Sequence, residues 1–352
     1  MKRLMKGNEA IAEAAIHAGC KAFFGYPITP QNEIPEYMSQ KFEKTGGVYI
    51  QAESEVAAIN MVYGAAATGA RVMTSSSSPG IALKQEGISY LVGANLPCVI
   101  VAVTRAGPGL GGILPSQSDY FQITRGGGNG DYYLPVYAPD TAQEATDLVQ
   151  KAFNVADKYR TPVMVVVDGL LGQMMEPVEI KDVPREHVEK PWVADGNIKE
   201  RGKTNTVTSL SLVGDVLEVS NIERFKVYDE ITRNEVMVQN LVEEGDELVV
   251  VAYGAVGRIA YNAMEDLKSE GIKTGIVRLI TLWPFPYETL QNLPKSVKNI
   301  LVCELSMGQL VQDVKLAVGD KIPVHFYGRS GGVIFEPNEI GDKIRKIVKG
   351  EC

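Results

Sequence analysis

The chain has 352 residues, a length that suits two domains, and its 45% hydrophobic and 22% charged residues describe an ordinary globular protein. A formal net charge of -8 offers no basic stripe for nucleic acid, and no apolar run reaches the roughly 18 residues of a membrane helix. The first residues, MKRLMKGNEA, are basic without an apolar stretch behind them, so no secretory signal is expected and the chain reads as cytoplasmic. Cys20, Cys98, Cys303 and Cys352 show no CxxC spacing, which argues against a zinc ribbon or an iron–sulfur ligand set. The first three lie in apolar surroundings and read as buried small hydrophobes. His17, His187 and His325 are too scattered to suggest a metal site.

In chain order, residues 7–18 read as a helix with Asn8 as its N-cap and Gly19 as its stop. A short strand over 21–25 runs into YPITP at 26–30, where two prolines three residues apart fix an extended loop. In open α/β sheets the carboxyl edge of the strands is where ligands bind. Thr29 offers a hydroxyl there, or caps a helix that opens at Pro30 and runs over 32–40, and both can hold. A strand over 48–51 precedes the run 56–67, in which only Asn60 is strongly polar. Such a helix belongs inside a protein or at an interface. Glu55 opens it, two residues after Glu53. A carboxyl carried into a dry place favours its neutral form and is suited to proton transfer or hydrogen bonding. Taken alone, the stretch fits a plainer reading better: acids favour a helix N-terminus.

A strand over 71–74 is followed by four serines at 75–78, Pro79, Gly80 and a helix over 81–92. The serines read as a small polar loop at a helix N-terminus, able to bind an anion through backbone N–H groups, but no Gly-Lys-Ser/Thr follows. The run PCVIVAV over 97–103 has the character of a parallel strand buried on both faces. It ends at Thr104 and Arg105, before AGPGLGG. An arginine at that edge requires an anion or a carboxylate partner, so a ligand and a structural salt bridge are equal readings. The glycines permit close backbone approach, but their spacing is not a dinucleotide fingerprint. After a second glycine-rich loop at 126–130, a strand over 134–138, a helix over 141–159 and a strand over 161–168 complete a doubly wound α/β domain at 1–176. Residues 177–244 read as a linker or arm with one helix over about 221–244. Alternation resumes over 245–352 as a second, smaller α/β domain, with WPFP at 283–286 between strands.

YPITP, QAESEVAAINM, TSSSSPG with KQEGISYL, and VTRAGPG follow one another in the order and spacing of the alpha subunits of 2-oxoacid:ferredoxin oxidoreductases. The resemblance covers nearly the whole chain. It is greatest to the branched-chain (3-methyl-2-oxobutanoate) member and close to the 2-oxoglutarate member. It implies a pyrimidine-type thiamine-diphosphate-binding domain, a doubly wound parallel sheet, followed by a transketolase C-terminal-like α/β domain. It implies a CoA-dependent oxidative decarboxylation of a 2-oxoacid to an acyl-CoA and CO2, with ferredoxin reduced. The position of the family's glutamate that hydrogen-bonds the aminopyrimidine ring is Glu55 here. The positions that contact the substrate carboxylate are Thr29 and Arg105, and Pro27 would lie against the cofactor. No GDG motif with a downstream Asn is present, so the resemblance places Mg2+, the diphosphate end and 4Fe-4S clusters on partners: a beta subunit, with gamma and ferredoxin-like delta subunits. The chain would then be half of an active site.

Two other readings remain at this stage, a 2-oxoglutarate:ferredoxin oxidoreductase alpha subunit and a non-catalytic α/β scaffold in which Glu55, Thr29 and Arg105 are structural. Leu110, Ile113 and Leu114 would make an apolar wall if they point inward, which favours a branched aliphatic substrate.

Overall fold

Apolar runs punctuated by glycine and proline fold into three sheets, described over residues 2–181 and 183–351 of a computed structural model. Cys352 lies outside the described residues. The first part of the chain runs β1 (Arg3–Lys6), α1 (Gly7–His17), β2 (Ala22–Gly25), α2 (Glu33–Thr45), β3 (Val48–Gln51), α3 (Glu55–Ala67), β4 (Val72–Ser77) and α4 (Ser78–Gly93). It continues with β5 (Cys98–Thr104), α5 (Tyr120–Thr124), β6 (Val136–Tyr137), α6 (Ala142–Tyr159), β7 (Pro162–Asp168), α7 (Gly169–Gln173) and β8 (Met175–Val178). A connection carries α8 (Ile198–Arg201) and α9 (Gly214–Asn234). Then come β9 (Val238–Leu241), β10 (Leu248–Tyr253), α10 (Gly254–Lys268), β11 (Thr274–Leu279), β12 (Thr281–Trp283) and α11 (Tyr287–Gln291). The chain closes with β13 (Asn299–Glu304), α12 (Leu310–Val318), β14 (Val324–Gly328) and α13 (Pro337–Val348).

The large sheet has the order β12-β6-β7-β5-β4-β2-β3. Its pairs are parallel except for β12, which runs antiparallel to β6. Helices cover both faces, so β5 and β7 are buried along their whole length, which is why they read as unbroken apolar runs. The chain steps outward from β2 to β3, then returns to β4 on the other side of β2. The strand order therefore reverses between β2 and β4, and the crevice outside their carboxyl ends is the expected ligand position in such a sheet. The second sheet, β14-β13-β10-β11-β9, is parallel except for β9, and β1 pairs antiparallel with β8.

Several local expectations change. Lys6, not Asn8, precedes α1, and the Asn8 side chain donates instead to Pro30 O and Glu33, both at 2.8 Å, tying α1 to the YPITP loop. Thr29 does not cap α2, which begins at Glu33 after Asn32. The serines are not a polar loop: β4 runs through Ser77, and Ser75 to Ser78 are all buried. Ser75 bonds to Gln31 and Ser78 to Arg105 O, whereas the hydroxyls of Ser76 and Ser77 are small enough to be buried there without partners. The helix in the connection spans Gly214–Asn234 in place of 221–244, and Val238–Leu241 forms β9 at the edge of the second sheet, because its backbone pairs with β11. The strand at WPFP joins the first sheet, not the second.

The two large sheets are locked together by buried polar contacts. Arg278 on β11 makes two 2.8 Å bonds to Glu144 on α6, and Asp168 at the end of β7 accepts from Ala255 N at 3.1 Å. Gln117 donates to Tyr253 O and accepts from Leu305 N, each at 3.0 Å. Among the described residues no helix is long and apolar enough to cross a membrane, and no grouping of His, Cys, Asp and Glu could hold a metal ion.

Candidate active site

Four loops leave the carboxyl edge of the large sheet around the point where the strand order reverses, and each carries a polar group. After β3, Ser54 adopts an extended conformation and its hydroxyl accepts from Ala57 N at 3.2 Å, which starts α3 at Glu55. Glu55 is 5% exposed, and no hydrogen bond reaches its carboxyl among the described residues. Its oxygens are not among the fully enclosed polar atoms, so the carboxyl keeps a narrow opening through which it can accept a hydrogen bond. Its seat is shaped by the first turn of α4. A Cβ on Gly80 would lie 2.6 Å from Glu55 Oε1 and 2.1 Å from Ser76 Oγ, so no larger residue fits there. The hydroxyls of Ser76 and Ser77 beside it are buried without partners.

After β5, the Arg105 backbone N–H donates to Ser78 Oγ at 2.9 Å, joining this strand end to the start of α4. Its guanidinium donates from Nη1 to Thr29 O at 2.8 Å and from Nη2 to Leu110 O at 3.1 Å, while Nε is buried with no partner. The salt bridge that would explain Arg105 structurally is not found among the described residues; backbone carbonyls hold it instead, leaving its full positive charge available. Thr29 and Pro27 are exposed on the loop that Arg105 grips. Asp119 faces the same region. Burial pushes its carboxyl up from the ordinary range, against the opposing pull of Ser78 and the Arg105 charge. A cleft of about 780 Å³ opens beside this group, lined among others by Ser78, Gly107, Pro108, Asp119, Ser306 and Met307, so both sheets contribute to its walls.

Sequence reasoning therefore named Glu55, Thr29, Arg105 and Pro27, and the fold brings all four to one edge. It missed Gly80, Ser76 and Ser78, which shape the seat, and Lys84, which is fully buried on α4. Lys84 could have been noticed, because it falls on the inward stripe of Ile81, Ile88 and Leu91 where an apolar residue belongs. The apolar wall does not form in this chain: Leu110, Ile113 and Leu114 are 85%, 60% and 55% exposed.

Residues 13–236 match the family described as pyruvate flavodoxin/ferredoxin oxidoreductase, thiamine diphosphate-binding, and residues 246–340 match pyruvate:ferredoxin oxidoreductase core domain II. The chain is 47% identical over 346 residues to the ketoisovalerate oxidoreductase subunit VorB of Methanothermobacter thermautotrophicus, covering 98% of this chain and 97% of that one. It is 36% identical over 359 residues to the 2-oxoglutarate synthase subunit KorA of Methanocaldococcus jannaschii, covering 96% and 97%. A solved 2-oxoglutarate:ferredoxin oxidoreductase from Magnetococcus marinus superimposes with a TM-score of 0.87 at 26% identity, covering 98% of this chain; this chain spans 65% of the length of that one. A split-gene transketolase shares the fold, with a TM-score of 0.61 at 14% identity. These matches run through both α/β units and through the loops that carry Glu55, Thr29 and Arg105, and the chain belongs to the thiamine-diphosphate-dependent 2-oxoacid:ferredoxin oxidoreductases, as one of their subunits.

Proposed function

We propose that this chain is the alpha-type subunit of a 2-oxoacid:ferredoxin oxidoreductase that acts on 3-methyl-2-oxobutanoate and other branched-chain 2-oxoacids. The overall reaction takes a 2-oxoacid and CoA to an acyl-CoA and CO2, with two electrons passed to ferredoxin. The observation that carries this reading is the Glu55 carboxyl, buried and without a hydrogen-bond partner at the carboxyl edge of the sheet. A ring nitrogen of an aminopyrimidine fits that requirement, and Gly80 keeps the carboxyl's surroundings clear. Thiamine diphosphate, when bound, supplies the electron sink for breaking the bond between the carboxylate and the carbonyl carbon. In this reading Glu55 holds and orients the pyrimidine, and Pro27 lies against it. Arg105 and the Thr29 hydroxyl receive the substrate carboxylate, for which a charged, partly unpartnered guanidinium is suited.

The rest of the site belongs to partners. We place Mg2+, the diphosphate group and a 4Fe-4S cluster on a beta subunit, alongside gamma and ferredoxin-like delta subunits, in a cytoplasmic complex. The division we propose along this chain is 1–176 for the pyrimidine-binding domain, 177–244 for the arm and 245–352 for the transketolase C-terminal-like domain. The preference for a branched substrate is supported by the 47% identity to a ketoisovalerate oxidoreductase subunit against 36% to a 2-oxoglutarate synthase subunit.

Glu55→Ala in the reconstituted complex tests the assignment. Turnover should fall by about 10²–10⁴-fold with assembly intact; unchanged turnover would leave only a scaffold role. Rates on 3-methyl-2-oxobutanoate, 2-oxoglutarate and pyruvate test the substrate, and faster turnover of 2-oxoglutarate would overturn the branched-chain assignment.

A further inference from the structure

Lys84 is fully buried, and its Nζ has one acceptor among the described residues, Thr74 Oγ1 at 2.9 Å. That hydroxyl gives its own proton to Phe24 O at 2.6 Å, so it meets Nζ with a lone pair. An ammonium with one neutral hydrogen bond in a dry place needs a negative charge nearby. The geometry supplies one. Gly80 and Lys84 are one turn apart on the same face of α4, and Thr74 and Ser76 are two residues apart on the same face of β4. Glu55 Oε1 sits over Gly80 and against Ser76, one step along from the place where Lys84 meets Thr74. The two side chains thus line the same gap between α4 and β4 without an ion pair within 4 Å among the described residues, close enough for the charge of Glu55 to act on Lys84, with the unpartnered Ser76 hydroxyl near the Glu55 carboxyl.

We propose that Lys84 is a positioning residue for the candidate cofactor site: its ammonium, anchored on Thr74, lays its field across the Glu55 carboxyl and so orients that group toward the cofactor ring. This rests on Glu55 being the group that meets the cofactor ring. The groups that act on Lys84 are few. Thr74 faces it from β4, Glu55 from α3, and Cys98 from β5, whose thiol burial keeps neutral. Burial pulls Lys84 down to about 8 against the favourable field of Glu55, so the ammonium is present at neutral pH and is lost above it.

The test is an equilibrium titration of the assembled complex, freed of cofactor, with thiamine diphosphate at fixed Mg2+ from pH 5.5 to 9, followed by protein fluorescence. Wild-type affinity should fall as the pH rises through about 8, where the ammonium is lost, and Lys84→Met should bind about tenfold more weakly at pH 7 and lack that alkaline fall. Lys84→Arg, which keeps the charge, should stay near the wild-type affinity at pH 7. An assembled Lys84→Met complex with the wild-type affinity at pH 7 overturns the proposal. If that variant does not assemble, Thr74→Val removes the anchor and must weaken binding at pH 7, or the proposal is overturned. Glu55→Gln separates the two levels. If it weakens binding at every pH while Lys84→Met matches wild type, only the role of Lys84 fails. If Glu55→Gln binds as wild type, the cofactor assignment fails, and the proposal with it.

Discussion

The Nη1 of Arg105 donates to the backbone oxygen of Thr29 across 2.8 Å, so the end of β5 fixes the shape of the loop after β2. These two strand ends stand on opposite sides of β4, and the bond spans the crevice opened by the reversal of strand order. One side chain then has two features: it braces the loop through a carbonyl, and its Nε–H is enclosed without a partner.

Arg105→Lys separates those features. A lysine keeps the charge but cannot reach Thr29 O and Leu110 O together while offering a planar fork to a carboxylate. In the assembled complex KM for the 2-oxoacid should rise by about 10–100-fold, with a smaller fall in kcat. Steady-state kinetics check this, and an unchanged KM would remove Arg105 from substrate binding.

Gly80→Ala would place a methyl 2.1 Å from Ser76 Oγ and 2.6 Å from Glu55 Oε1. Overpacking of this kind costs about 1–3 kcal/mol. Displacing a group that must meet a ring by about 1 Å costs on the order of 100-fold in rate. The double variant Gly80→Ala, Ser76→Ala relieves only the contact with the hydroxyl. It should recover stability in thermal unfolding without recovering turnover.

Arg278→Met tests the joint between the sheets. Arg278 is 6% exposed and meets Glu144 through two 2.8 Å bonds, so removing it strands two partly buried carboxylates and should cost about 1–3 kcal/mol at pH 7. The pH dependence follows from the signs. Burial pushes Glu144 up, but the hydrogen bonds and charge of Arg278 outweigh it and leave the carboxyl lowered. Its contribution in the wild type is therefore present above the ordinary carboxylate range and lost as the pH falls. Asp140 runs the other way: burial raises it to about 6, so folding favours its protonated form and stability falls as the pH rises toward that value. In the variant both carboxyls can take protons, so the gap from wild type should shrink between pH 7 and pH 5. Denaturant unfolding at the two pH values measures it; a gap that widens at pH 5 would contradict this account.

Much of the fold was legible because its strands are buried on both faces. Cys98–Thr104 and Pro162–Asp168 read as apolar runs, and Thr141 at the start of α6 and Glu55 at the start of α3 read as helix starts. The serines of β4 misled because a polar run resembles a loop, and sequence does not show that Ser75 finds Gln31 or that Ser76 and Ser77 are enclosed without partners. Asn8 misled for the same reason, since its partners at Pro30 and Glu33 are distant in the chain.

By itself the sequence determined the alternation of strand and helix, the helix that Glu55 opens and the loops bearing Thr29 and Arg105, because these depend on periodicity and on prolines and glycines close by. Only the tertiary structure decided what those residues face. The carbonyls that hold Arg105 come from residues 29 and 110, the seat of Glu55 is set by Gly80 and Ser76, and Lys84 meets Thr74 across the sheet. Such contacts are made between different elements once the chain has folded, and burial, which no local pattern encodes, gives each lone charge its effect.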